Sequence, residues 1–190
     1  MSPTAPTPAG LDGRRILVYV GGSVAAYKSG DVVTQLRRRG AEVRVAMTEA
    51  ATRFIGPVTL QSLSGHPVVT DLWHSPEGGH GMEHLSLSAW AELQLCVAAS
   101  ADLIARLALG LAGDAVTATA LACRAPLLIV PAMETAMWDH AATRGHVETL
   151  RGRGALFVGP VPGRLASGRE GMGRMAEPGD IVEAAVSALR

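Results

Sequence analysis

The stretch "RILVYVGGSVAAYKSGDVVTQLRRRGAEVRVAMT", residues 15–48, decides the architecture. "RILVYVGG" (15–22) is an apolar run that ends in two glycines. A strand apolar on both faces belongs inside a parallel sheet that is covered on both sides. Residues 23–40 read as a helix. Ser23 can cap its start, Arg37, Arg38 and Arg39 suit the negative end of its dipole, and Gly40 can stop it. "AEVRVAMT" (41–48) alternates as a second strand. A strand, a helix and a strand at this spacing make one crossover unit of an α/β sheet.

Outward from this unit the same alternation continues. Residues 49–65 read as two short helices broken at Gly56-Pro57, and 66–83 as a loop holding His66, His74 and His80. A short helix around Ser88–Ala91 leads into a third strand within 84–100, and 101–114 forms a helix with apolar residues at 3- and 4-residue spacing. "AVTATALAC" is a short helix, "APLLIVPA" a strand, 135–154 helical and "ALFVGPV" (155–161) a fifth strand. Residues 162–179, with five glycines and two prolines, read as a long loop, and 180–190 as the closing helix. The expectation is an α/β fold of about five or six parallel strands, one domain over 14–190, preceded by a disordered leader at 1–13.

Composition narrows the function classes. Seventeen basic residues balance seventeen acidic ones, so no electrostatic footprint for nucleic acid or an anionic membrane is present. No apolar run reaches the roughly 18 to 20 residues of a membrane span, and "MSPTAPTPAG" lacks a signal-peptide pattern. A cytoplasmic location is expected. Cys96 and Cys123 sit in apolar runs without disulfide or zinc spacing and read as structural thiols.

The chemistry is expected at the carboxyl ends of the strands. In "VGGSVAAYK", Gly21 and Gly22 let a ligand approach the backbone, and Ser23 places a hydroxyl at a helix start, where an anion is favoured. The turn is neither the GxGxxG fingerprint nor a Walker loop. Thr48 and Ser100 end the second and third strands, so three hydroxyls lie along one sheet edge. No acid ends the second strand to hold a ribose, which favours a mononucleotide over a dinucleotide. Glu134, in "PAMETAMWDH" (131–140), is a lone acid where a strand ends among apolar residues. Such a carboxylate must be solvated, paired or protonated. It is either a helix N-terminal acid or a group in a ligand pocket.

"GGSVAAYK", "VRVAMTEAATRFI", "HLSLSAWAELQL", "ADLIARLALGLAGD", "PAMETAMWDHAAT" and "LASGREGMGRMAEP" follow one another in the order found in the flavin-containing cysteine decarboxylases. The chain resembles that superfamily over about residues 14–182. Its nearest look is to the phosphopantothenoylcysteine decarboxylases of coenzyme A synthesis, then to the epidermin-type peptidyl-cysteine decarboxylases and, more distantly, the flavin prenyltransferases. The resemblance implies a flavodoxin-like three-layer fold, FMN as cofactor, a small-molecule or peptide cysteinyl substrate, and a homotrimer or a multiple of three such as a dodecamer, with the active site between subunits. It places Gly22, Ser23 and Val24 at the flavin phosphate, Thr48 and Phe54 on the flavin, Ser100-Ala101-Asp102-Leu103 in the flavin loop and Ala132 in the family's "PAMN" turn. His84 takes the place of the active-site histidine, and Met133 and Glu134 face the substrate.

Four positions depart from the family pattern. Glu134 stands where an asparagine binds the substrate carboxylate, and an ionised acid offers only acceptors and a like charge. It can serve such a substrate if protonated, or if Arg106, Arg169, Arg174 or another cation bridges the pair. Ser167 stands where the phosphopantothenoylcysteine decarboxylases carry a proton-donating cysteine on a lid, and a hydroxyl is far less acidic than a thiol. Ala98 replaces a usual proline and Asp102 a usual asparagine. The resulting expectation is an FMN-dependent decarboxylase with His84, Ser167 and Glu134 as catalytic residues. Its reaction can end at the oxidised enethiol, as in the epidermin-type enzymes. A flavin prenyltransferase and a non-catalytic FMN-binding partner stand as the alternatives.

Overall fold

The computed structural model describes residues 10–73 and 82–190. His74, His80 and most of the leader expected at 1–13 lie outside the described residues. In chain order the elements are β1 (Arg15–Val20), a 3-10 turn (Val24–Lys28), α1 (Ser29–Arg38), β2 (Glu42–Met47), α2 (Glu49–Thr52), α3 (Pro57–Ser64), β3 (Val68–Val69) and α4 (Glu83–Trp90). They continue with β4 (Leu93–Ala99), α5 (Ala101–Leu109), α6 (Ala115–Ala122), β5 (Leu127–Pro131), α7 (Thr135–Trp138), α8 (Ala141–Gly152), β6 (Leu156–Phe157), β7 (Val161–Arg164), β8 (Glu170–Arg174) and α9 (Pro178–Ala188).

Six strands form one parallel sheet in the order β3-β2-β1-β4-β5-β6. The edge strand β3 pairs only Val68 and Val69 with Val45 and Ala46. Without it the order is the 2-1-3-4-5 of a flavodoxin-like sheet, so the expected fold is the one observed. The strand order reverses between β1 and β4, and a crevice opens outside the carboxyl ends of strands at such a reversal.

Both faces of the sheet are covered. Ile16, Val18, Val20, Leu93, Leu95 and Val130 pack on the side of α1 and α9, with Val33, Leu36 and Ile181. Leu17, Tyr19, Cys96 and Ile129 pack on the other side with Leu103, Ile104 and Val147 of α5 and α8. This is why β1 reads as a continuous apolar run: alternate residues serve opposite layers. Cys96 is fully buried in β4, Cys123 is half-buried, and both are free thiols.

Four local expectations need correction. The glycine-rich segment 162–179 contains an antiparallel hairpin, β7–β8, with Val161 opposite Arg174 and Arg164 opposite Glu170. Its glycines hide it from any strand pattern. The expected loop 66–83 contains β3 and opens α4 at Glu83. The helix expected from 101 to 114 stops at Leu109, where Gly110 takes the left-handed conformation at φ 70°. The helix expected over 23–40 is divided, because the 3-10 turn gives way to α1 at Ser29, whose hydroxyl donates to the Ala26 carbonyl at 2.6 Å.

Candidate active site

Three short turns leave the carboxyl edge of the sheet beside the strand-order reversal. After β1, Ser23 caps the 3-10 turn by accepting from the Ala25 amide at 3.2 Å. After β2, the Thr48 hydroxyl accepts from the Ala51 amide at 3.2 Å. After β4, the Ser100 hydroxyl accepts from the Leu103 amide at 3.3 Å and starts α5. Each hydroxyl accepts from a backbone amide, and that of Thr48 also donates to the Val20 carbonyl at 3.4 Å. The three hydroxyls predicted to share this edge therefore do share it.

Two cavities flank the Gly22-Ser23 turn. One, of about 310 Å³, is lined by Gly22, Thr48, Ser100, Asp102, Leu103 and Arg106, among others. Arg106 is paired with Asp114 at 2.8 Å and lies 3.9 Å from Asp102. The other, of about 440 Å³, lies between the 3-10 turn, the turn after β5 and the β7–β8 hairpin. Ser23, Val24 and Lys28 form one wall, Ala132, Met133 and Glu134 another, and Arg164, Leu165 and Arg174 a third. Val24 and Tyr27 add exposed apolar surface, 53% and 62% accessible.

Gly21 and Gly22 are also required by the packing around them. A Cβ on Gly21 would stand 2.4 Å from the Ala98 carbonyl oxygen, and one on Gly22 would stand 2.4 Å from the Ala50 Cβ. The missing side chains admit neighbouring protein segments, and Gly22 reaches the smaller cavity only along its backbone. Ala98 itself sits in a bulge where β4 carries one extra residue against β5, with φ at 54°. A proline ring fixes φ near −65°, so the residue usual at this place in the family could not adopt this backbone. The bulge joins two of the turns: the Gly21 amide donates to the Val97 carbonyl at 2.9 Å, and the Ala132 amide to Ala99 at 3.0 Å.

Glu134 immediately precedes α7 but makes no side-chain capping bond, so the helix-cap reading has no bond to support it. It lines the larger cavity, half-buried, as the pocket reading requires. Of the cations expected to neutralise it, only Arg174 lines the same cavity. Arg106 belongs to the smaller one, and Arg169 is exposed on the hairpin. Burial of the turn is tight. The Met133 amide donates to the Gly173 carbonyl at 3.0 Å. A Cβ on Gly171 would lie 2.3 Å from Thr135 Oγ1, and one on Gly173 would lie 2.2 Å from the Met133 carbonyl oxygen.

Four expected site residues are not brought into these two cavities. Phe54 is 47% exposed beyond α2. Ala101 opens α5 without lining either cavity. Ser167 lies exposed in the hairpin turn, two residues past Leu165 in the cavity wall, its hydroxyl accepting from the Arg169 amide at 3.4 Å. His84 lies in the first turn of α4, and its Nδ1 is a buried polar atom without a hydrogen-bond partner among the described residues. Sequence reading gave no role to Lys28, Arg164 or Leu165. Lys28 looked like an ordinary helix residue, and the other two fell in the supposed loop.

The residues present fit FMN. Hydroxyls and helix starts at Ser23, Thr48 and Ser100 suit a phosphate, and an apolar cavity adjoins them across a single turn. The carboxylates in the smaller cavity oppose an anion, but Asp114 is neutralised by Arg106, and Asp102 and Glu49 point mainly into solvent.

Comparison with known proteins supports FMN as the cofactor. The family model described as Flavoprotein matches residues 4–190. The coenzyme A biosynthesis bifunctional protein CoaBC of Escherichia coli K12 is 47% identical over 177 residues, covering 93% of this chain and 43% of the relative. CoaBC of Mycolicibacterium smegmatis is 45% identical over 168 residues, covering 88% and 40%. The chain thus spans less than half the length of these curated relatives. Among solved structures, the FMN-dependent cysteine decarboxylase SpaF superposes with a TM-score of 0.79 at 32% identity, covering 93% of this chain and 95% of that one. A cysteine-to-serine mutant of PPC decarboxylase complexed with pantothenoylaminoethenethiol gives 0.81 at 30% identity, covering 91% and 96%. With nearly its full length matched, the chain belongs to the Flavoprotein family, within the superfamily of flavin-containing cysteine decarboxylases.

Proposed function

We propose that this protein is an FMN-dependent decarboxylase of a cysteinyl compound, similar to phosphopantothenoylcysteine. The observation that carries the reading is the pair of cavities on either side of the Gly22-Ser23 turn where the strand order reverses, one lined by Thr48 and Ser100 and the other by Ser23 and Ala132–Glu134. Gly22, Ser23, Val24, Thr48, Ser100, Asp102, Leu103 and Ala132 would hold FMN. When bound, FMN supplies the two-electron oxidation of the substrate's thiol-bearing carbon, after which the adjacent carboxylate leaves as carbon dioxide.

The chain's own residues bind and orient the substrate. Met133 and Glu134 form the cavity floor beneath it. Glu134 can accept hydrogen bonds but repels a neighbouring carboxylate, so the substrate carboxylate requires a protonated Glu134 or a bridging cation. Lys28, Arg164 and Arg174 line the cavity and are the candidate bridges. Ser167 rides on the hairpin turn and offers only a weakly acidic proton, so the reaction ends at the oxidised enethiol. His84 lies away from both cavities of its own chain and would serve the site of a neighbouring copy in a trimer or a multiple of three.

The test is anaerobic incubation of the FMN-loaded protein with phosphopantothenoylcysteine. Stoichiometric bleaching of the visible flavin band, release of carbon dioxide and an enethiol product mass support the reading. Bound FMN with no bleaching and no carbon dioxide would replace it with a flavin-binding partner. Modification of FMN by a prenyl phosphate would replace it with a prenyltransferase. Light scattering tests the assembly, and a monomer at micromolar concentration would remove His84 from the site.

A further inference from the structure

The β7–β8 hairpin forms one wall of the larger cavity but belongs to a separate two-stranded sheet. Two-stranded hairpins are marginal by themselves, so something must hold this one in place. Backbone docking on the Met133 turn is one fastening. A second is ionic. Glu177, just before α9, uses its two carboxylate oxygens on two cations from different walls of the cavity. Oε2 lies 3.5 Å from Lys28 Nζ, at the end of the 3-10 turn, and Oε1 pairs with Arg174, at the end of β8.

The path of Arg174 shows that this pair is built in. Its side chain crosses Gly163 of the facing strand, where a Cβ would stand 2.9 Å from both Cδ and Nη1 of the arginine. A side chain at position 163 would push the guanidinium off this route. Glu177 makes no side-chain bond to the start of α9, where acids commonly serve as caps. Its carboxylate is directed to the cations.

We propose that Glu177 is a positioning residue, the centre of an ionic latch Lys28–Glu177–Arg174 that fastens the hairpin to the 3-10 turn across the cavity. The latch goes beyond the proposed reaction and holds whatever the cavity binds. It fixes the separation of two walls and keeps Lys28 and Arg174 pointed along them. The pairs are partly exposed, so they contribute little to global stability and are screened by salt. Their effect is local, on the marginal hairpin.

The test is hydrogen exchange on the full chain, with and without saturating FMN. The Met133 amide and the amides of 161–174 report the hairpin, and those of β1 and β2 report the domain. In Glu177→Gln the hairpin amides should exchange roughly three- to tenfold faster, the span that loss of exposed ion pairs allows. The β1 and β2 amides should be unchanged. Glu177→Asp, which keeps the charge, should lie between the two. Raising salt from about 0.01 M to about 1 M, which shortens the Debye length from about 30 Å to about 3 Å, should accelerate the wild-type hairpin and leave Glu177→Gln unaffected. Hairpin exchange equal to wild type in Glu177→Gln would overturn the latch. So would equal acceleration of β1 and β2, which would make Glu177 a general stability residue. Because the readout is exchange and not turnover, failure of the decarboxylase reading leaves this result intact.

Discussion

Replacing Gly173 with alanine tests how the cavity is closed. Gly173 has φ at 145°, a backbone that L side chains rarely adopt, and its added Cβ would stand 2.2 Å from the Met133 carbonyl oxygen. The obstacle is backbone, which cannot rotate aside. Relief comes only by lifting β8 from the turn, which breaks the 3.0 Å bond from the Met133 amide to the Gly173 carbonyl. Backbone strain of about 1–3 kcal/mol and a lost hydrogen bond of about 0.5–1.5 kcal/mol give roughly 2–4 kcal/mol. That corresponds to an opening equilibrium shifted about thirty- to a thousandfold. The cost falls on hairpin docking, because the six-stranded sheet makes no use of Gly173. Gly168→Ala is the control: φ is also positive, at 84°, but no atom lies within 4 Å of the added Cβ. It should cost only the conformational strain of about 1–2 kcal/mol. Exchange of the Met133 amide reads the docking, and kcat/KM with a cysteinyl substrate reads the cavity. Gly173→Ala should lose both while retaining the fold. If Met133 stays as protected in Gly173→Ala as in Gly168→Ala, the close approach of the hairpin to the turn is not what shapes the site.

Other outcomes follow from single residues. Ser167→Cys restores an acidic proton on the hairpin turn and should shift product mass from the enethiol toward the reduced thiol; an unchanged product ratio would remove position 167 from proton delivery. Ser23→Asp places a like charge at the proposed phosphate position and should abolish FMN binding in a fluorescence titration, so undiminished affinity would move the phosphate elsewhere. Alkaline pH should destabilise the fold, because burial pushes the Cys96 thiol from 9.0 up to about 12 and also raises Tyr19. Above pH 9 the unfolded chain has lost the Cys96 proton that the folded chain retains, so stability is full below that pH and falls by about 1.4 kcal/mol per unit as pH rises toward 12. At pH about 10.5, Cys96→Val should therefore have lost about 2 kcal/mol less than wild type relative to pH 8 in denaturant titrations, and equal losses would assign the alkaline limit to other groups.

Much of this was written in the order of the residues. The run Arg15–Val20 had to be a strand buried on both faces, because every residue after Arg15 is apolar and a helix would need a polar stripe. Ser23, Thr48 and Ser100 each follow such a strand and cap what comes next, so local chemistry placed them on one edge before any contact was known. The motifs around them carried the family and its cofactor. Other features depend on contacts between residues far apart in the chain. The β7–β8 hairpin escaped reading because glycines at 163, 171 and 173 give no alternation, and the reason for two of them lies in Met133 and Thr135, almost forty residues earlier. Gly21 and Gly22 read as room for a ligand, and only the packed structure shows that they also make room for Ala98 and Ala50. Glu134 could be narrowed in sequence to a cap or a pocket acid, but only the packed turn shows it lining the cavity without a capping bond. Lys28 and Glu177 look ordinary in sequence, and Arg174 could be singled out only as a cation near Glu134, because an ion pair across elements leaves no periodicity to read. Local propensity and hydrophobic period determine elements, and the layers and edge follow from them. Which side chains meet across that edge is decided by the tertiary structure, where distance in space is no longer tied to distance along the chain.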